Sequence, residues 1–166
     1  MNDFDHLRLT MVDLSMAPGT RSERIWGNTP VVLCGAYPQD QVADLYASLD
    51  VLLAPSIWPE SFGLVAREAR SQGLWVVASD RGAVGEGIEH GENGFIIDVS
   101  DGRGLTAVLK KLDADVSRYQ APPPKSQEPV RTAADQGREI AELYRKIGFA
   151  SRVARLSATD DGELGE

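Results

Sequence analysis

The chain has 166 residues and a formal net charge of -8, from 17 basic and 25 acidic side chains. This length allows one domain with a substantial core, and an acidic balance without a basic block argues against nucleic acid or an anionic membrane surface as partner. No signal-like start and no apolar run of about 20 residues is present, so we expect a cytoplasmic protein without a transmembrane segment.

The first 29 residues read as a partial or irregular N-terminal segment. One predicted strand, Leu7 to Leu14, precedes a polar stretch that has no helical period. The pattern sharpens at the strand Val31 to Cys34, where we interpret the single cysteine as a buried small hydrophobe. A turn then leads into a helix whose apolar face carries Val42, Leu45, Tyr46 and Leu49.

The middle of the chain alternates strands and helices. The strand Val51 to Ala54, an amphipathic helix ending at Gly73 and the strand Leu74 to Ala78 form a βαβ unit, which favours parallel pairing. The loop 79–86 is predicted to open a short helix, and the strand Phe95 to Ile97 follows. We therefore predict an α/β fold with a Rossmann-like parallel sheet flanked by helices, over residues 30–115.

The C-terminal third is predicted to be mostly helical. A third amphipathic helix within the domain carries Leu105, Val108, Leu109 and Leu112. Residues 116–130 look like a Pro-rich connector, and 131–149 contain a C-terminal helix that we expect to pack back on the domain. Residues 150–166 are expected to form a flexible tail.

Two glutamates surround the turn between the first strand and the helix of the βαβ unit. The carboxyl ends of parallel strands face the ligand crevice, so Glu60 and the amides of Ser61, Phe62 and Gly63 should lie at its lip. A helix opening near Ser61 offers unpaired N–H groups to a phosphate. Glu68 lies about 9 Å from Phe62 along the helix axis, so that it could reach a part of the ligand distant from Glu60, and two carboxylates at that separation suit an extended polyol.

The same residues also allow a purely structural interpretation. Glu60 could be a favourable charge at a helix N-terminus, worth about 0.3–1 kcal/mol, and Glu68 a solvated or paired surface residue. Trp58 could stack on a sugar or cap the core. Arg81 and Glu86 flank the next crevice loop, where ligand contact, a local ion pair and a helix cap are all compatible with the sequence, and for Glu86 we favour ligand contact.

No metal site is predicted. Asp113-Ala114-Asp115 matches an Asp-x-Asp metal motif in letters, but it ends an amphipathic helix far in sequence from the crevice strands. His6 and His90 are too few and too distant in sequence to form a site with a carboxylate pair.

The stretch Ala54 to Ala69 resembles the Glu-x7-Glu signature of retaining glycosyltransferases of the GT-B fold. The likeness spans roughly residues 30 to 115. It rests on residues that occur in the family's order, namely Gly35-Ala36-Tyr37, Tyr46, Asp50-Val51, Pro55-Ser56, Ala69, Gly73, Ser79, Gly82, Glu86 and Gly91-Glu92-Asn93-Gly94-Phe95.

The resemblance implies that this part is the donor-binding half of the C-terminal domain of a GT-B enzyme. The donor would be a nucleotide-diphosphate sugar, transferred with retained anomeric configuration and without a required metal or other cofactor. By the same resemblance Glu60 would contact the donor sugar as the catalytic-site residue and Glu68 would hold the ribose hydroxyls. The remaining donor-binding residues would be Ser61, Phe62, Gly63, Leu64, Tyr37 beside the nucleobase, and Glu86.

Three departures from the family pattern qualify this interpretation. The upstream Arg and Lys that neutralise the diphosphate have no clear counterpart, and Arg21 and Arg24 are the only nearby candidates. The N-terminal acceptor-binding domain is absent from the sequence, and Ala83 replaces a usual glycine.

We therefore expect the donor-binding part of a retaining transferase of a hexose-type sugar to a glycan or other acceptor. As an isolated chain it would lack activity and would need an N-terminal domain or partner chain. The alternatives are a non-catalytic sugar-nucleotide-binding or assembly module that pairs with another chain, and a remnant fold without ligand affinity.

Overall fold

The computed structural model describes residues 4–125, 130 and 132–148. Two compact units, Met1–Val130 and Arg131–Glu166, divide the chain. The described strands are β1 Leu9–Val12, β2 Arg21–Trp26, β3 Thr29–Cys34, β4 Val51–Ala54, β5 Trp75–Ser79 and β6 Gly94–Ile97, and the helices are α1 Val42–Ala47, α2 Leu64–Ser71, α3 Arg103–Ala114, α4 Val116–Gln120 and α5 Ala133–Lys146. Short 3₁₀ helices occur at Gln39–Gln41 and Ala83–Gly85.

The strands form two three-stranded sheets. The second sheet has the order β4-β5-β6 and is parallel throughout, which confirms the predicted α/β class with a parallel sheet flanked by helices. The first sheet has the order β1-β3-β2, with β1 parallel and β2 antiparallel to β3.

Strand β2 lies where the sequence predicted an irregular stretch. It forms a hairpin with β3 in which Trp26 faces Thr29 across the two-residue turn Gly27-Asn28. A Gly-Asn pair between two extended runs is a known hairpin signal. The prediction of an irregular segment was wrong for residues 21–26. The side chains of β2 are mostly exposed, so the sequence of this strand shows no alternation of apolar and polar residues.

Strand β5 separates two hydrophobic clusters, since successive side chains of a strand point to opposite faces. On one face, Val76 and Ala78 pack with Ala66 and Ala69 of α2. On the other face, Trp75 and Val77 pack with residues of β6, α3 and α4, namely Phe95, Ile97, Val108, Leu112 and Tyr119. The small side chains of α2 allow the helix to lie close to the sheet, which fixes the position of the loop that precedes it.

Helix α4 lies inside the segment predicted as an extended connector. Asp115 caps this helix by accepting a hydrogen bond from the Arg118 amide, and Tyr119 is buried against Trp75. The Trp75 indole N–H also donates to the Ala121 carbonyl at 2.9 Å. Residues 116–121 therefore belong to the packed structure, a long-range effect that the local sequence does not reveal.

Helix α5 confirms the predicted C-terminal helix. It begins with a capping box in which Thr132 and Asp135 satisfy each other's backbone N–H groups. Its packing on the domain stays a prediction, and the expected tail 150–166 lies outside the described residues. Among the helices described, none has the length and apolar character needed to cross a bilayer.

Candidate functional site

The loop after β4 ends in a left-handed glycine that starts α2. Gly63 has φ +63° and is the N-cap, so the helix begins at Leu64 and not near Ser61 as predicted. A left-handed residue cannot belong to a right-handed helix, which explains the difference. The first intrahelical bond runs from the Arg67 amide to the Gly63 carbonyl at 3.1 Å, so the amides of Leu64 and Val65 precede it.

Backbone contacts join the loop after β4 to the loop after β5. Glu60 and Gly82 form an isolated parallel β-bridge, and the Ala83 amide donates to the Glu60 carbonyl at 2.7 Å. Gly63 is buried against the second loop, where an added Cβ would lie 2.6 Å from the Val84 Cα. The two loops therefore form one continuous wall at the carboxyl edge of the parallel sheet. Ala83 can replace the usual glycine in this wall, because its φ is negative: among the described residues only glycines have a positive φ.

Arg67 of α2 connects both loops through its side chain. Its Nε donates to the Phe62 carbonyl at 2.8 Å, and its guanidinium lies 4.4 Å from the centre of the Phe62 ring. The same guanidinium forms an ion pair with the Glu86 carboxylate. Glu86 therefore takes part in an ion pair, and its contact with a donor stays a prediction.

Sequence reasoning did not single out Arg67. The sequence offered no signal for it, because a helix that begins near Ser61 would place Arg67 in its second turn; only the observed start at Leu64 puts this cation in the first turn, where it opposes the helix dipole.

Glu68 is held by a tyrosine of α1. The buried Tyr46 hydroxyl donates to Glu68 Oε2 at 3.0 Å. Burial, together with this hydrogen bond and the negative charge of Glu68, raises the pKa of Tyr46 to about 12. An ionised carboxylate has about four acceptor positions, so Glu68 can accept further hydrogen bonds while Tyr46 fixes its orientation.

Apolar side chains are exposed along the same lip. Trp58 is 74% exposed, so it does not cap the core, and Phe62 and Leu64 are also more than half exposed. Glu60 is half-buried and Ser61 is exposed. The structure therefore brings together Glu60 to Leu64, Glu68 and Glu86, with aromatic surface beside their polar groups.

Tyr37 lies three residues after the end of β3, the central strand of the first sheet. A hydrogen bond with the Cys34 side chain, burial and the negative charge of an ionised Cys34 raise the pKa of Tyr37, while the positive charge of Arg21 lowers it. Cys34 itself is buried, as predicted. Arg21 is paired across the hairpin with Cys34, at the carboxyl end of β3, whereas Arg24 faces Val31 near the start of that strand. Of the two predicted cations, Arg21 is therefore the one near Tyr37.

The two aspartates of the Asp-x-Asp sequence, Asp113 and Asp115, have structural roles. Asp113 accepts hydrogen bonds from the Asp5 and His6 amides, the latter at 2.8 Å, and Asp115 caps α4. His90 hydrogen-bonds to the backbone of Ile96. Within residues 4–125, 130 and 132–148, no cluster of three or more His, Cys, Asp or Glu side chains is arranged to hold a metal ion.

Comparison with known proteins gives a family match over the same part of the chain. The model of the family "Glycosyl transferases group 1" matches residues 27–122. The D-inositol 3-phosphate glycosyltransferase of Thermobispora bispora is 37% identical over 120 residues, which cover 72% of this chain and 24% of that protein. The protein of the same name from Thermomonospora curvata is 41% identical over 119 residues, again 72% and 24%.

Among solved structures, Anabaena HepE in complex with UDP is 24% identical with a TM-score of 0.48, over 78% of this chain and 32% of HepE. The chain spans about a quarter of the length of the curated relatives that it matches.

Proposed function

Because the chain belongs to the group 1 glycosyl transferase family, we propose that its crevice at the Glu60 to Glu68 segment is the donor site of a retaining glycosyltransferase. The donor is a nucleotide-diphosphate sugar, and the transferred group is a hexose-type sugar destined for a glycan or other acceptor. One observation carries the proposal, namely the start of α2, where free amides lie between the carboxylates of the Glu-x7-Glu pair.

The diphosphate would bind at the N-terminus of α2. The Leu64 and Val65 amides precede the first intrahelical hydrogen bond, and a helix N-terminus carries roughly half a positive charge. These features favour an anion in a chain whose net charge of -8 would otherwise repel it.

The two glutamates would bind the two ends of the donor. Glu68 accepts hydrogen bonds from the ribose hydroxyls through the lone pairs that the Tyr46 hydroxyl does not use. Glu60 would contact the donor sugar, and the hydrogen bond from the Ala83 amide to its carbonyl fixes its backbone to the loop after β5. Tyr37 borders the base. Transfer with retained configuration through an oxocarbenium-like state then depends on stabilising the departing diphosphate.

A second candidate is a non-catalytic module that binds the sugar nucleotide and pairs with another chain. The charge balance of the crevice supports it, because Arg67 is paired with Glu86 and Arg81 lies 3.4 Å from Asp80. Neither cation is available for a leaving diphosphate in this arrangement. Transfer after mixing with an N-terminal acceptor-binding half would favour the enzyme, and its absence despite donor binding would favour the module.

The donor site is tested by calorimetric titration of the folded chain with UDP, GDP and ADP, in parallel with Glu68→Ala. We expect saturable binding of one nucleotide and an affinity at least tenfold lower in the variant, about 1.4 kcal/mol. Glu92→Gln is the matched control, since Glu92 is an exposed carboxylate before β6, at the amino end of that strand. Absence of binding below millimolar concentration by a chain with native circular dichroism contradicts the proposal, as does equal weakening by both substitutions.

A further inference from the structure

We propose that Arg67 is a positioning residue that braces both loops of the crevice against each other before any ligand arrives. The functional consequence of this inference rests on the proposed function: by holding the loops, Arg67 would position the Leu64 amide and Glu60 for the donor. The contacts that Arg67 makes with both loops lie within the chain and involve no ligand.

Arg67 contacts both loops from a single, largely covered side chain. Only 22% of the side chain is exposed. Nε bonds the Phe62 carbonyl at 2.8 Å, one residue before the Gly63 N-cap, and the terminal nitrogen pairs with Glu86, 19 residues later in the chain. The Phe62 ring covers the guanidinium at 4.4 Å, so the last residues of the loop after β4 are held through both backbone and ring.

A second arginine, Arg70, one helical turn later in α2, holds the backbone of Glu86. Arg70 Nη1 donates to the Glu86 carbonyl at 2.8 Å. The neighbouring Gly87 makes room for it, because an added Cβ would lie 2.4 Å from that nitrogen. Glu86 is thus held by its side chain through Arg67 and by its backbone through Arg70. The end of the loop after β5 therefore follows α2 as a unit.

Helix stability alone does not account for a cation at this position. Arg67 is in the first turn of α2 and its side chain returns towards the N-terminus, where the helix dipole disfavours positive charge. The Glu86 carboxylate offsets that cost, and the planar fork of the guanidinium serves the carbonyl and the carboxylate at once. A lysine ammonium is a point charge on a flexible stem and cannot reproduce this fork.

The functional consequence is preorganisation. The free amides of α2 and the Glu60 backbone belong to loops that Arg67 holds at a fixed separation, so ligand binding does not have to order them. Without the contacts of Arg67, the loop residues 56–62 and 80–86 gain conformational freedom that the donor must remove on binding.

Hydrogen exchange by mass spectrometry, on the full chain without ligand, tests the brace directly. We compare the unaltered chain with Arg67→Ala, Arg67→Lys and Glu86→Gln, and use Arg103→Ala as the matched control. Arg103 is also a helical arginine paired with a carboxylate, Asp101, but on α3 and with a 90% exposed side chain.

In Arg67→Ala we expect exchange at least tenfold faster in both loops together, with β6 and α3 unchanged. Arg67→Lys should not restore protection, whereas Glu86→Gln should loosen mainly the loop after β5, because the Phe62 carbonyl keeps its donor. Faster exchange throughout the chain, full protection in Arg67→Lys, or loosening of only one loop in Arg67→Ala overturns the proposal.

Titration with UDP, GDP and ADP separates this inference from the proposed function. Binding that is tenfold weaker in Arg67→Ala than in the unaltered chain supports the positioning role. The urea midpoints of Arg67→Ala and Arg103→Ala are compared to show that both variants remain folded. If both loops loosen and the affinity stays the same, the positioning role is refuted while the donor site stands. If the unaltered chain binds none of the three nucleotides, the donor site fails, and the ligand-free exchange alone decides whether the brace exists.

Discussion

Replacement of Gly63 by alanine should damage the wall between the two crevice loops. Gly63 has φ +63°, and an added Cβ would lie 2.6 Å from the Val84 Cα and 3.1 Å from the Ala83 carbonyl oxygen. The left-handed backbone costs alanine about 1–2 kcal/mol. The contact with backbone atoms of the second loop adds about 1–3 kcal/mol, the usual cost of overpacking. We therefore expect Gly63→Ala to lower the free energy of unfolding by about 2–5 kcal/mol.

Gly73→Ala is the matched control at the other end of α2. Gly73 follows the C-cap in a Schellman motif, with the Leu74 amide bonded to the Ala69 carbonyl at 3.1 Å. Its φ is +81°, but nothing lies within 4 Å of an added Cβ. Only the backbone term applies, so Gly73→Ala should cost about 1–2 kcal/mol.

Urea unfolding followed by tryptophan fluorescence measures both costs by linear extrapolation. Trp75 is 2% exposed and reports on the core between β5 and α3. The difference between the two variants isolates the contact of Gly63 with the loop after β5. Equal losses in Gly63→Ala and Gly73→Ala would refute the close packing of the two loops.

Two further predictions concern buried hydroxyl groups. The pKa of Tyr46 is raised from 10.0 to about 12, so its neutral form is favoured by folding; stability from this group is complete below pH 10 and is lost as the pH rises towards 12. Absorbance titration should show a tyrosine ionising near pH 12, and Tyr46→Phe should remove that step. The absence of such a step would contradict the contact with Glu68. Ser79 Oγ is buried without a hydrogen-bond partner among the described residues, so Ser79→Ala should leave the free energy of unfolding unchanged or raise it. A loss above about 1 kcal/mol in urea unfolding would indicate a partner for the hydroxyl.

The βαβ unit could be predicted from the sequence because its signals are local. Val51–Ala54 was predicted with the bounds that the structure shows, and the strand and helix that follow differ by one to three residues. Continuous apolar runs mark strands that are buried in a parallel sheet, and the glycine after α2 marks its end.

Features that depend on distant contacts were missed. Helix α4 has five residues and is stabilised by the burial of Tyr119 against Trp75, which lies 44 positions earlier by residue number. Strand β2 depends on its pairing with β3, since its own side chains are exposed. The start of α2 was misplaced because Gly63 adopts its left-handed conformation against Val84 of the next loop.

In the candidate site, sequence reasoning found the carboxylates but not the groups that hold them. Glu60 and Glu68 stood out through their spacing and through a family resemblance. Tyr46 was assigned only to an apolar helix face, yet its hydroxyl orients Glu68. Arg67 is five residues from Phe62 and 19 from Glu86, so no local pattern links the three.

The charges around the candidate site distinguish two parts of the proposed function, donor binding and sugar transfer. Arg67 is committed to Glu86 and the Phe62 carbonyl, Arg81 lies beside Asp80, and Arg21 lies 3.4 Å from Glu23. A helix N-terminus can attract a diphosphate, but a departing diphosphate needs charge stabilisation that grows in the transition state. Cations that are already neutralised supply little of it. Nucleotide affinity therefore tests the site by itself, whereas sugar transfer also tests whether another region or chain contributes positive charge.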